Sequence, residues 1–201
     1  MALMPNTDIR TPIPHNDGDW VAKFGETWKK QAEAVQAKFG ADVVSIALPP
    51  AAATDMPTIT VKKERVVEIL TFLRDDCAYN FLSDLTATDE TPREPRFDVV
   101  YHLFSHTNLC RIRVKAATDE EVPTVIPVWL GADWAEREVF DMFGLKFKGH
   151  PDLRRVLMDE RWEGHPLRKD YPLRGYQIFP DAEKIRPELL NMLDPGQKGG
   201  R

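Results

Sequence analysis

At 201 residues, with 42% hydrophobic and 29% charged side chains, the chain is long enough for one domain with a real core plus an arm, and its composition sets wholesale disorder aside. A formal net charge of −5 argues against a dedicated nucleic-acid binder, whose domain would be strongly basic. The charge is uneven: Lys148 to Arg174 holds seven Lys/Arg against five Asp/Glu, a local +2 that leaves −7 for the remainder.

Met1–Pro5 runs into polar residues without an apolar signal segment, and no span of about twenty apolar residues could cross a bilayer, so a cytosolic chain is expected. Residues 1–18 read as a flexible lead-in. From Asp19, Val21, Phe24, Trp28, Ala32, Val35 and Phe39 recur at helical spacing, and Gly40 suits the left-handed position that ends a helix. Asp42–Leu48 reads as a short strand and Thr58–Val61 as a second. A further helix is expected over Lys62–Asp76 and a strand over Phe81–Thr88, followed by a charged loop over Asp89–Arg96. Phe97–Phe104 and Leu109–Ala116 alternate cleanly around a Ser105-His106-Thr107 turn. This predicts a hairpin packed on one face and solvated on the other, with Arg111, Arg113 and Lys115 outward. Pro123–Leu130 reads as a linker. Asp133 is a candidate N-cap for a third helix, with Glu136 reaching back to it, and Gly144 ends that helix. The expected fold class is α+β: a small, mostly antiparallel sheet with flanking helices over 19–145, then an extended C-terminal arm over 146–201 that wraps a partner.

The unusual stretch lies at the start of that arm. Gly149-His150-Pro151 and Gly164-His165-Pro166 repeat fifteen residues apart, and each proline biases the preceding histidine towards extended backbone. Apolar anchors alternating with charge on irregular backbone read as a strap laid across a surface. Arg154, Arg155 and Arg168, with Lys169 and Arg174, could grip phosphates, but interleaved acids partly cancel that field and favour a mixed-sign protein interface. Trp162 and Tyr171 are residue types enriched at interface hot spots, although Trp162 could equally fold back on its own domain. Glu138 and Asp141 share one helical face, which would suit acid–base work or a metal. The plainer alternative is dipole complementarity and an Arg137–Asp141 pair one turn apart. His150 and His165 lack the close pairing of zinc ligands, and no metal site is expected. Cys77 and Cys110 are read as reduced and buried. Nucleotide-binding and hydrolase motifs are missing, so no catalytic residues are expected in this chain.

The run from Glu136 to Leu173, ERE-VFDMFG-LKFKGHPDLRRVLM-DERWEGHPLRKDYPL, closely resembles the signature of the 30 kDa-subunit family of respiratory NADH:quinone oxidoreductase, complex I. The FLSDLTATD and FDVVYHLFS segments look like the family's N-terminal domain. The resemblance implies a non-catalytic structural and assembly subunit of the peripheral arm. That arm passes electrons from NADH through FMN and iron–sulfur clusters to quinone, coupled to proton translocation in the membrane arm. It further implies no cofactor bound by this chain, in keeping with two cysteines where a cluster takes four thiolates. The implied partners are the quinone-site subunit and neighbouring peripheral-arm subunits. Membrane association would come only through the complex, at the cytoplasmic face of a bacterial inner membrane or the matrix side of a mitochondrial one. Partner contacts are expected at His150, Arg154, Arg155, Trp162, His165, Arg168 and Tyr171, and at Glu138 and Asp141. A metal-dependent enzyme, or an accessory subunit of a related membrane hydrogenase or non-NADH dehydrogenase, stand as alternatives.

Overall fold

The computed structural model describes residues 19–47, 56–173 and 175–176, with side chains from residue 27 onward. The expected lead-in over 1–18, Arg174, and the arm beyond residue 176 lie outside the described residues.

The first helix, α1 (Asp19–Phe39), buries Trp28, Ala32 and Val35 at the expected spacing and gives way at Gly40, which adopts φ +49° and opens a 3-10 turn. Strands β1 (Val43–Ala47) and β2 (Thr58–Val61) pair antiparallel. The second helix opens with a 3-10 turn at Lys63–Arg65 and continues as α2 (Val66–Asp75), burying Val66, Ile69, Leu70 and Leu73. Strands β3 (Phe81–Asp89), β4 (Phe97–Ser105) and β5 (Cys110–Thr118) follow as an antiparallel meander. The five strands form one sheet in the order β1-β2-β5-β4-β3, antiparallel except where β2 runs beside β5. The β-branched and aromatic alternation of β4 and β5 sets the register: Phe97, Val99, Tyr101 and Leu103 share a face with Ile112, Val114 and Ala116, all of them buried. The helices cover that face. Cys110 lies 3.5 Å from the Tyr79 hydroxyl just beyond α2, and Phe97 meets Phe143 of α3 (Ala132–Phe143) edge-on at 6.3 Å.

Two local expectations need correction. The stretch read as a linker, Pro123–Leu130, begins inside strand β6 (Glu121–Pro123), which buries Val122 and pairs in parallel with β7 (Lys146–Lys148), and the segment after the strand buries Val125 and Val128. Strands of three residues are too short to show an alternation, so neither was legible. The sheet's outer face is also not uniformly solvated. Asp98 and Val100 are buried there, Asp98 under Arg93 and Lys115, both of which pair with it. Among the described residues, no helix is long and apolar enough to cross a membrane.

Candidate functional site

Helix α3 organises the region that the motifs single out. Gly131 precedes it without a side-chain cap, and Asp133 sits inside its first turn instead of capping it. Glu136 does not reach back to Asp133. It is fully buried, and its carboxyl accepts the Val125 N–H at 2.7 Å and the Thr124 hydroxyl at 2.6 Å, tying the segment after β6 to the helix. Burial pushes its pKa above the ordinary glutamate value despite those two donors.

At the other end, α3 terminates at Gly144, whose φ of +79° suits a residue without Cβ and whose N–H bonds the Phe140 carbonyl at 2.9 Å. A Cβ at this position would lie 2.6 Å from Cδ2 of His165. The remaining terminal carbonyls would be bare acceptors in a lone helix. Here the second Gly-His-Pro elbow satisfies them in succession. His165 Nδ1 donates to the Asp141 carbonyl (3.0 Å), the Leu167 N–H to Met142 (3.1 Å), and Arg168 Nη1 to Phe143 (3.3 Å). The last turn of α3 holds no basic residue, so the downstream segment supplies the positive charge that complements this end of the helix dipole.

Asp141 is the hub of the docking. Its fully buried carboxylate accepts the backbone N–H groups of Val156 (3.0 Å), Leu157 (2.8 Å) and Met158 (2.8 Å) on one oxygen, and Arg155 Nη1 on the other at 2.6 Å. Burial alone would raise its pKa. The hydrogen bonds from Met158, Arg155, Leu157 and Val156 outweigh that and hold it below the usual aspartate value. The Arg155 guanidinium also donates to the carbonyls of Trp162 (2.9 Å) and Gly164 (3.0 Å), closing the intervening loop. Arg137, expected to pair with Asp141, instead donates to the carbonyls of Arg154 and Arg155 at 3.3 Å each.

The first elbow is fixed at the opposite end of α3. The His150 side chain is fully covered; Nε2 lies 3.1 Å from Asp133 Oδ1, and Nδ1 accepts the Asp152 N–H at 3.0 Å. The network therefore assigns the proton to Nε2. His150 and His165 thus engage residues eight positions apart on α3, roughly 12 Å along its axis, and do not converge. Among the described residues, no group of three or more His, Cys, Asp or Glu could hold a metal ion.

A second clamp, not anticipated from sequence, joins the strap to the β3–β4 loop. Asp89 receives Arg96 through both carboxylate oxygens (2.9 and 2.6 Å), the Thr91 hydroxyl (2.7 Å) and, from the strap, the Lys169 N–H (2.8 Å). Arg96 in turn bonds Asp170 at 2.9 Å, and Arg168 bonds the same carboxylate. These guanidinium contacts hold Asp89 and Asp170 well below the ordinary carboxylate range. Both Arg96 and Arg168 lie over the Phe97 ring, at 4.9 and 5.2 Å. No local pattern links residue 89 to residue 169, which is why the spacing of motifs could not show it.

The expected interface residues therefore fall into three groups. Asp141, Arg155, His150, His165 and Arg168 turn inward to bonds within the chain. Arg154 and Glu138 are exposed, Arg154 beside Asp152. Trp162 and Tyr171 are half-buried and pack about Gly164 and Gly175; Tyr171 stands edge-on to Tyr176 at 5.0 Å. Sequence reasoning missed Leu130 just before α3 and Trp134 on it, which are 84% and 66% exposed, with the Arg137 guanidinium over the indole at 5.1 Å.

Comparison with known proteins adds to this geometry. The family described as "Respiratory-chain NADH dehydrogenase, 30 Kd subunit" matches residues 59–177. The chain is 53% identical over 135 residues to an NADH-quinone oxidoreductase subunit of Citrifermentans bemidjiense, spanning 66% of this chain and 81% of that one. It is 56% identical over 123 residues to the same subunit of Rhizobium johnstonii, spanning 59% and 62%. Among solved structures, a chain of the membrane-bound sulfane sulfur reductase, an archaeal respiratory membrane complex, superposes with a TM-score of 0.61 at 19% identity, covering 87% of this chain and 99% of that chain. At that identity the superposition speaks for the fold alone.

Proposed function

This chain belongs to the respiratory-chain NADH dehydrogenase 30 Kd subunit family, and from that membership we propose that it serves as a non-catalytic assembly subunit in the peripheral arm of NADH:quinone oxidoreductase. The observation that carries the reading is the matched span, which runs from β2 through β5, α3 and the whole docked strap. The electrons of the reaction pass through FMN, iron–sulfur clusters and quinone held by partner subunits. The quinone-site subunit is the principal neighbour, and the complex supplies the attachment to the cytoplasmic face of the membrane. What supports a structural role is the use made of the perturbed carboxylates. Asp89, Asp141 and Asp170 are each engaged by guanidinium or backbone donors from another part of the same chain, an arrangement that fixes shape.

On this reading the interface residues divide by role. His150, Asp141, Arg155, His165 and Arg168 hold the strap in shape, while Trp162, Tyr171, Arg154 and Glu138 meet the partner. Leu157, Leu167 and Leu173 are exposed along the same segment and add apolar contact area. Truncating Trp162 to alanine is expected to abolish quinone reduction through loss of assembled complex. Full assembly with selectively slowed turnover would contradict the assignment.

A further inference from the structure

The tip of the β4–β5 hairpin displays side chains that the packing of the domain does not use. Phe81, Phe104 and Arg111 lie in one row across three strands, since Phe81 pairs with Phe104 and Phe104 with Arg111. The His106 ring stands edge-on to Phe81 at 5.6 Å and to Phe104 at 4.9 Å, and the Arg111 guanidinium lies over Phe104 at 5.9 Å. Asn80 fixes this arrangement, its side-chain oxygen 3.0 Å from His106 Nδ1. Phe81 is 50% exposed and Leu109, at the turn itself, 60%. Leu109 also has a φ of +52°, in the left-handed region that disfavours a bulky L-residue and that glycine or asparagine adopts readily. A hairpin that needs only to turn is served better by glycine at this position. An exposed leucine held in strained backbone fits a residue retained for contact with something outside the chain.

The charge around this tip narrows what that contact is. The chain outside Lys148–Arg174 carries −7, yet β5 places three bases within five residues on its outward side, Arg111, Arg113 and Lys115. Asp98 pairs with Lys115 at 3.5 Å, while Arg111, nearest the tip, is exposed. A base-rich strip on an otherwise acidic chain is complementary to an acidic segment, and the aromatic row beside the guanidinium offers an apolar seat.

We propose that this patch docks a segment of a neighbouring subunit in which an apolar side chain stands beside a carboxylate, the first seated against Phe81 and Leu109 and the second on Arg111. The inference rests on the reading of this chain as part of a larger complex. The test uses the full chain in that complex. Leu109→Gly removes the displayed side chain and relieves the positive φ, so the purified variant is expected to melt no lower than wild type. Combined with Arg111→Glu, it is expected to cut recovery of the chain in the large solubilised complex by about tenfold. A photo-cross-linking amino acid at position 109 is expected to capture, from another subunit, a peptide that contains Asp or Glu. Full recovery of L109G/R111E, a lowered melting temperature for L109G, or capture only of lipid or of a second copy of this chain overturns the proposal. A wild-type chain absent from every large complex overturns the assembly reading with it, whereas wild-type assembly with unaffected variants overturns the patch alone.

Discussion

Replacing Arg155 with methionine keeps much of the buried stem and removes the guanidinium, which tests how firmly the strap is fastened to its own domain. The side chain is 15% exposed and its partner Asp141 is fully buried, so the pair falls in the class where deleting one partner costs about 3–5 kcal/mol. Asp141 would keep three backbone N–H donors, which places the loss near the lower end. The carbonyls of Trp162 and Gly164 would lose a charged donor as well. A loss of about 3 kcal/mol in a chain of this size lowers the melting temperature by roughly 6–12 °C. Urea titration of the full chain measures the first quantity and calorimetry the second. Native-state hydrogen exchange adds the location: protection of the Leu157, Met158 and Leu167 amides should fall while that of the β4–β5 ladder is retained. A double-mutant cycle with Asp141→Asn should give a coupling above about 1 kcal/mol. The acid limb offers an independent reading. Because Asp141 titrates below its unfolded value in the folded state, its contribution is present above about pH 4 and lost as pH falls through the folded value. Arg155→Met should flatten that loss. A stability change below about 1 kcal/mol, with strap protection unaltered, would refute the reasoning.

Two further expectations bear on α3. Gly144→Ala should cost at least about 1 kcal/mol more than Gly40→Ala in the same denaturation assay. Both glycines have positive φ, but only at Gly144 would the new Cβ press on a neighbour, the His165 ring. Equal losses would mean that the elbow yields without cost. Glu136→Gln should gain on wild type as pH rises. Its raised folded pKa means that the glutamate's contribution is complete below the unfolded value and lost as pH climbs through the folded one. Identical differences in stability at pH 5 and pH 8 would contradict burial of an ionisable glutamate.

Much of the fold was written in local patterns. The stripe through Trp28, Ala32 and Val35, the Gly40 stop and the alternation of β4 and β5 follow from periodicities that only one secondary structure satisfies. The parallel pairing of β6 with β7 followed from no such signal, because strands of three residues have no period to read. The site was legible in kind and not in detail. Alternating apolar anchors and charges marked 149–171 as adhesive. The surface receiving its inward residues is made of both ends of α3 and the Asp89 loop, contacts spanning 14 to 80 positions of chain. Arg137 and Asp141 looked like a helical pair because the (i, i+4) rule sees only neighbours along the helix. Once Arg155 and three amides surround Asp141, the burial of that carboxylate decides its partners. Glu136 likewise suggested a capping box, and the Thr124–Val125 segment packed across the helix took its carboxyl instead.

The most direct test of the central claim is a native gel of detergent-solubilised membranes from cells carrying a tagged copy of this chain, stained in the gel for NADH dehydrogenase activity. Assembly within NADH:quinone oxidoreductase predicts that the tag co-migrates with a very large NADH-active band. Migration as a lone small protein, with the NADH-active band free of the tag, would contradict it.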